Sequence, residues 1–216
     1  MAGSVVADEP AEDTGDVAQH SRSTGRFAIT FDDGPDPEST LPVLDRLDDL
    51  GVAATFFCLG SMAVKYPDIV REIDARGHDI GVHGYDHMPH LLRSPRWVCH
   101  DVLRAKAEME SIGITVRWFR PPYGVISGTT LAVAKYSGMD IVLWSAWGRE
   151  WTTADAGEVR DRITGRLGNG VIVLMHDADT ASPAGTWRVA YDALPMVIQA
   201  ASDHKLQPVT LSALLD

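Results

Sequence analysis

Cysteine is nearly absent. Two residues, Cys58 and Cys99, stand alone among 216 and form no CxxC pair. That count excludes a disulfide framework and a thiolate zinc cluster. Cys58 closes the apolar run Val52–Phe57, which reads as a buried thiol, and a bridge to Cys99 stays open at this stage. Long apolar runs are missing too: no stretch reaches the roughly 18–20 residues needed to span a bilayer. Positive charge is in short supply, with 19 Lys and Arg against 30 Asp and Glu and a net charge of −11. A nucleic-acid partner needs a basic face, and an anionic membrane surface needs a basic patch, so neither is expected. What remains is 45% hydrophobic and 23% charged residues, the composition of an ordinary globular protein. A chain this long buries about 70% of its unfolded surface and needs no staple to fold.

The acidity is uneven. Residues 1–25 carry Asp8, Glu9, Glu12, Asp13 and Asp16 against Arg22 alone, and they hold no aromatic residue. They read as a disordered acidic leader, with one folded domain over 26–216. The leader lacks the basic start and apolar stretch of a signal peptide. A cytoplasmic protein is the expectation if the chain is native as given, and a secreted one if a leader has been removed.

Beyond the leader, short β-branched and aromatic runs alternate with longer amphipathic ones. Strands are expected at Phe27–Phe31, Ala53–Cys58, Asp79–His83, Val116–Phe119, Asp140–Ser145 and Val171–Met175, and a short one near Pro208-Val209. Helices are expected over 38–50, 61–76, 95–111, 128–137, 156–167 and 187–202. Leu41, Val43, Leu44, Leu47 and Leu50 form one apolar stripe, and Val64, Ile69, Val70 and Ile73 a second. Gly51, Gly77, Gly113, Gly138 and Gly168 follow helical runs. This alternation implies an α/β fold with a mostly parallel sheet. Periodicity leaves a closed barrel and an open doubly wound sheet equally open.

Both architectures gather their chemistry at the carboxyl ends of the strands. The unusual residues fall there: Thr30-Phe31-Asp32-Asp33-Gly34-Pro35, His83-Gly84-Tyr85-Asp86-His87, Arg120-Pro121-Pro122-Tyr123-Gly124, Trp147-Gly148-Arg149-Glu150-Trp151 and Leu174-Met175-His176. Each alone has an ordinary explanation. A strand-end Asp-Asp is usually a solvated turn, His-x-x-x-His arises by chance on surfaces, Pro-Pro-Tyr-Gly is a turn, and tryptophans pack. Five such clusters at successive strand ends are not independent accidents.

Together these motifs resemble those of the polysaccharide deacetylase family, the NodB-homology carbohydrate esterases, over about residues 26–212. The resemblance implies a distorted (β/α)7 barrel. It implies a divalent metal held by Asp33, His83 and His87, a donor set suited to zinc, with cobalt, nickel or iron also acceptable. It makes Asp32 the general base, Arg120 its partner, and His176 the general acid, oriented by Glu150. The backbone N–H of Tyr123 would stabilise the oxyanion, and Trp151 and Leu174 would wall a pocket for the acetyl methyl.

Three positions depart from the pattern. Gly84 replaces the usual Ser or Thr, which removes a support of the metal loop. Glu150 replaces Asp, Trp147 stands where a further Asp is common, and Arg149 beside it is a candidate for an anionic group on the substrate. The implied reaction is metal-assisted removal of an N-acetyl group from an amino sugar in a chitooligosaccharide, peptidoglycan or related glycan. Hydrolysis of an N-acetylated small molecule or of a cyclic amide or imide is the alternative, and an inert sugar-binding module a third. His78 and His90 are read as non-ligands.

Overall fold

The computed structural model describes residues 25–216. The expected leader lies outside them except for Gly25, which opens the first strand. The strands are β1 (Gly25–Asp32), β2 (Thr55–Cys58), β3 (Asp79–Val82), β4 (Trp118–Phe119), β5 (Asp140–Ile141), β6 (Ala146–Trp147), β7 (Ile172–His176) and β8 (Leu206–Val209). The helices are α1 (Thr40–Leu50), α2 (Gly60–Lys65), α3 (Pro67–Ala75), α4 (Pro95–Ile112), α5 (Gly128–Ser137), α6 (Ala156–Thr164), α7 (Thr186–Asp203) and α8 (Leu211–Leu215).

Every strand pairing is parallel, in the order β5-β4-β3-β2-β1-β7-β6, with β8 added alongside the first half of β1. β1 is the centre of this curled sheet. It pairs with β2, β7 and β8, and its last six residues are buried. Helices cover the outside. α1 buries Val43, Leu44 and Leu47, and α7 buries Trp187, Ala190, Ala193, Leu194, Val197 and Ala201. Phe31 stacks on Phe56 at 5.1 Å within the main core. Cys58 is buried there as expected, and both thiols are free.

The distorted (β/α)7 barrel is the architecture, and the distortion has a location. The strand expected over 140–145 is in fact two. Asp140–Ile141 pairs with β4 at one edge of the sheet, and Ala146–Trp147 pairs with β7 at the other. The chain between them bridges the edges and leaves a seam where neighbouring strands do not meet. The apolar run Ile141–Trp144 continues unbroken across the switch, so composition gives no sign of it.

The helix expected over 61–76 is also two. Pro67 lacks an N–H and starts a new helix, which breaks the phase between them. Ile69, Val70 and Ile73 are buried as expected, whereas Val64 is 48% exposed. The helix expected to 167 stops at Thr164, and Gly165 follows it. Among the described residues no helix is long and apolar enough to cross a membrane.

Candidate active site

The carboxyl ends of β1, β3 and β7 surround a pocket of about 330 Å³. Its floor holds Asp32, Asp33, His83 and His87, with Leu174 and His176 at one side. Asp33 follows β1 in a left-handed conformation, φ 83, unusual for a residue with a side chain. That turn places its carboxylate in the pocket rather than along the strand. His83 follows β3, where its Nδ1 lies 2.8 Å from the carbonyl of Arg120. That bond is made through Nδ1–H, which leaves Nε2 as the lone-pair nitrogen facing Asp33.

His83 Nε2 and His87 Nε2 lie 3.6 and 3.4 Å from Asp33 Oδ1. These are not ion pairs. Burial pushes both histidines down, His87 to about 3 with His83 beside it adding to the effect. Burial pushes Asp33 up to about 7, with Asp32, Asp177 and Glu150 adding and His176 opposing. Two neutral imidazoles and a carboxylate therefore aim lone pairs at one point. Their candidate ligand atoms lie within 4.8 Å of one another, and Asp33 Oδ1 is buried without a hydrogen-bond partner. Two nitrogens and one carboxyl oxygen converging on one point fit a divalent transition metal, which would hold Asp33 in its ionised form.

Asp32 is held from the other side. Arg120, fully buried, donates from Nη1 to Asp32 Oδ1 at 2.8 Å and to Thr30 Oγ1 at 2.7 Å. It also donates from Nε to the carbonyl of Val142 at 3.1 Å and from Nη2 to that of Leu143 at 3.2 Å. Those two carbonyls belong to the bridging chain, so the guanidinium fills the seam of the barrel. Its plane rests on the Phe57 ring at 4.0 Å. Asp32 Oδ2 remains on the pocket side, 3.6 Å from His83 Nε2.

His176 ends β7. Its Nδ1 is 2.8 Å from Glu150 Oε1, and Glu150 is buried. Burial opposes the charged imidazole, but the Glu150 charge and hydrogen bond outweigh it, with Asp33 and Asp32 adding, and His176 is held up at about 9. The longer Glu thus reaches the histidine as the expected Asp would. The next residue, Asp177, is buried and pushed up to about 7 by that burial. Thr40 Oγ1 donates to it at 2.5 Å, and its Oδ2 fills the space a side chain at Gly34 would need.

One wall of the pocket is aromatic. Trp144, Trp147 and Trp151 form a chain with ring centroids 5.6 and 5.4 Å apart, and Trp151 sets its edge against His176. Tyr123, more than half exposed at the mouth, packs on His87 at 4.4 Å.

The pocket thus assembles Asp32, Asp33, His83, His87, Tyr123, Trp151, Leu174 and His176, with Arg120 and Glu150 behind them. Arg149 is not brought in. It is exposed outside the lining and stacks its guanidinium on Trp147 at 4.5 Å. Sequence reasoning assigned no role to Asp177, to Asp101 behind the metal loop, or to Ala181, Ser182 and Pro183, which lie in the 177–186 rim loop. Asp177 had one available signal, its place directly after a strand-end histidine.

Barrel and strand-end cluster together define a class: a NodB-type (β/α)7 domain with its polar site at the carboxyl face of a parallel sheet. Sequence comparison narrows the class. The chain belongs to the polysaccharide deacetylase family, whose profile matches residues 19–142. The peptidoglycan-N-acetylglucosamine deacetylase PgdA of Listeria monocytogenes is 35% identical over 165 residues, 76% of this chain and 35% of the relative. The chitooligosaccharide deacetylase of Azorhizobium caulinodans is 34% identical over 178 residues, 81% of this chain and 84% of that protein. The solved structure of peptidoglycan deacetylase PdaC from Bacillus subtilis matches with a TM-score of 0.79 at 29% identity, covering 90% of this chain and 92% of that one. The chain spans about a third of the length of the Listeria relative.

Proposed function

We propose that this protein is a divalent-metal-dependent hydrolase that removes N-acetyl groups from amino sugars of a glycan. The observation that carries the reading is the convergence of Asp33, His83 and His87 between a carboxylate, Asp32, and a protonated imidazole, His176, in one pocket. Asp33, His83 and His87 would hold the ion, with zinc the best match to the donor set. When bound, it supplies Lewis-acid polarisation of the acetyl carbonyl and stabilises developing negative charge.

The chain's own groups supply the proton transfers. Asp32 Oδ1 is engaged by Arg120, so Oδ2 is the oxygen free to accept a proton from the attacking water. His176 Nδ1 is engaged by Glu150, so Nε2–H is the donor facing the pocket. It delivers its proton to the nitrogen as the C–N bond breaks, and the products are acetate and a free amine. Leu174 and Trp151 offer an apolar niche for the acetyl methyl beside that donor. The tryptophan wall suits the apolar faces of sugar rings. The relatives' names support a peptidoglycan or chitooligosaccharide substrate over a small molecule.

Purified protein supplied with zinc or cobalt should release acetate from N-acetylglucosamine oligomers or from peptidoglycan, and a chelator should stop it. Absence of acetate from both, in protein shown to contain metal, refutes the reading. Turnover without acetate on a cyclic amide would replace it.

A further inference from the structure

We propose that Asp101 of α4 is a positioning residue that sets the shape of the loop carrying His83 and His87, and so tunes the metal site. The inference rests on the metal reading above. The loop between the two histidines begins with Gly84, which has no side chain to support the turn from within. Its backbone groups find protein partners, although only Gly84 is buried, Tyr85 is half-buried and Asp86 is exposed. Two carbonyls are taken by α2: Gly60 N–H donates to Gly84 O at 2.9 Å, and Ser61 N–H to Tyr85 O at 3.1 Å. Two amides are taken by one carboxylate. Tyr85 N–H donates to Asp101 Oδ2 at 3.0 Å, and Asp86 N–H donates to Asp101 Oδ1 at 2.9 Å.

That fork fixes two successive peptide planes between the candidate ligands, and charge-assisted bonds of this kind are the strong ones. Asp101 is itself closely held. It is 3% exposed on a helix anchored by Val98, Val102, Ala105 and Met109, and His90 Nε2 lies 3.7 Å from its Oδ2. His90 in turn contacts Thr130 Oγ1 through Nδ1 at 3.1 Å, which ties the arrangement to α5. Gly84 is matched to this carboxylate. It has φ +84, and a side chain there would place its Cβ 2.8 Å from Asp101 Oδ2. The carboxylate and a side chain at 84 exclude one another, so Asp101 replaces from outside the loop the support that Gly84 removes from within.

The test compares wild type with Asp101→Asn, which keeps the shape but leaves one oxygen to accept, and Asp101→Glu, which shifts the fork by a methylene. Zinc affinity is measured by chelator competition, the coordination by visible absorption of the cobalt form, and loop order by amide exchange of Tyr85 and Asp86 in metal-free protein. Both variants should lose exchange protection at these two amides, bind zinc about 10–100-fold more weakly, and show an altered cobalt spectrum. A drop in melting temperature alone, with wild-type zinc affinity, cobalt spectrum and amide protection, overturns the inference and leaves the metal reading standing. A wild-type protein that takes up neither ion overturns the metal reading and this inference with it.

Discussion

Glu150→Gln removes the charge that holds His176 protonated while keeping a hydrogen-bond acceptor of the same length. In the wild type the pair is 2.8 Å apart with Glu150 buried. Two unit charges at about 4 Å in an effective dielectric of 20 attract by about 4 kcal/mol, enough to move a pKa by more than two units. Removing it leaves burial, which opposes the charged form, set against Asp33 and Asp32 alone. His176 should therefore fall from about 9 to near or below its ordinary 6.5. A pKa raised in the fold contributes stability that is fully present below 6.5 and is lost as pH rises through 9. The contribution at stake is about 3 kcal/mol.

The assay is a side-chain NMR titration of labelled histidine in metal-free protein, beside urea unfolding from pH 7 to 9. Wild type should titrate near 9 and lose stability across that window, whereas the variant should titrate at least two units lower and show a flatter profile. Deacetylation by metal-loaded Glu150→Gln should fall about 100-fold, the scale of a general acid's contribution. A wild-type His176 that titrates at or below 6.5, or one whose titration ignores the substitution, refutes the reasoning.

Two further outcomes follow from the same geometry. Because Asp33 titrates at about 7 while the two histidines are already neutral, metal affinity should fall about tenfold per pH unit below 7 and level off above it. Chelator competition at pH 5.5, 6.5 and 7.5 checks this, and a flat profile counts against Asp33 as a ligand. Arg120→Met strips Asp32 of its buried partner and opens the barrel seam, which should cost about 3–5 kcal/mol. At 2–4 °C per kcal/mol, that lowers the melting temperature by about 10 °C. A shift under 2 °C would show that the seam does not depend on the guanidinium.

The parts legible in the sequence share a cause: they depend on residues close together along the chain. Strand cores such as Phe27–Phe31 and the apolar stripe Val43, Leu44 and Leu47 of α1 follow from local pattern, and the five polar clusters stand out because each ends a strand. What escaped depends on distant partners. Nothing near Val142 tells which sheet edge it meets, because the answer lies in Phe119 on one side and Ile172 on the other. Asp101 reads as one more charge on an amphipathic helix until the fold brings it under Tyr85 and Asp86. Arg149 shows the converse, since adjacency to Glu150 and Trp151 suggests a role in the pocket and its conformation turns it outward. Val64 failed for a simpler reason: Pro67 interrupts the helical phase that would have carried it inward.

The position of β1 has a consequence for how the molecule comes to exist. Among the described residues the first strand is the one that needs the last two: Asp32 pairs with His176, and Gly25 pairs with Leu206. Contacts separated by about 145–180 residues cannot form while the chain is still being synthesised, and such distant pairing is slow. A nascent chain leaves one edge of β1 bare, and the polar ends of β1 and β3 stay apart from β7, until β7 and β8 have emerged. Any truncation before β7 therefore removes the barrel and the site in one stroke, and a half-made chain presents no proton donor beside its carboxylates.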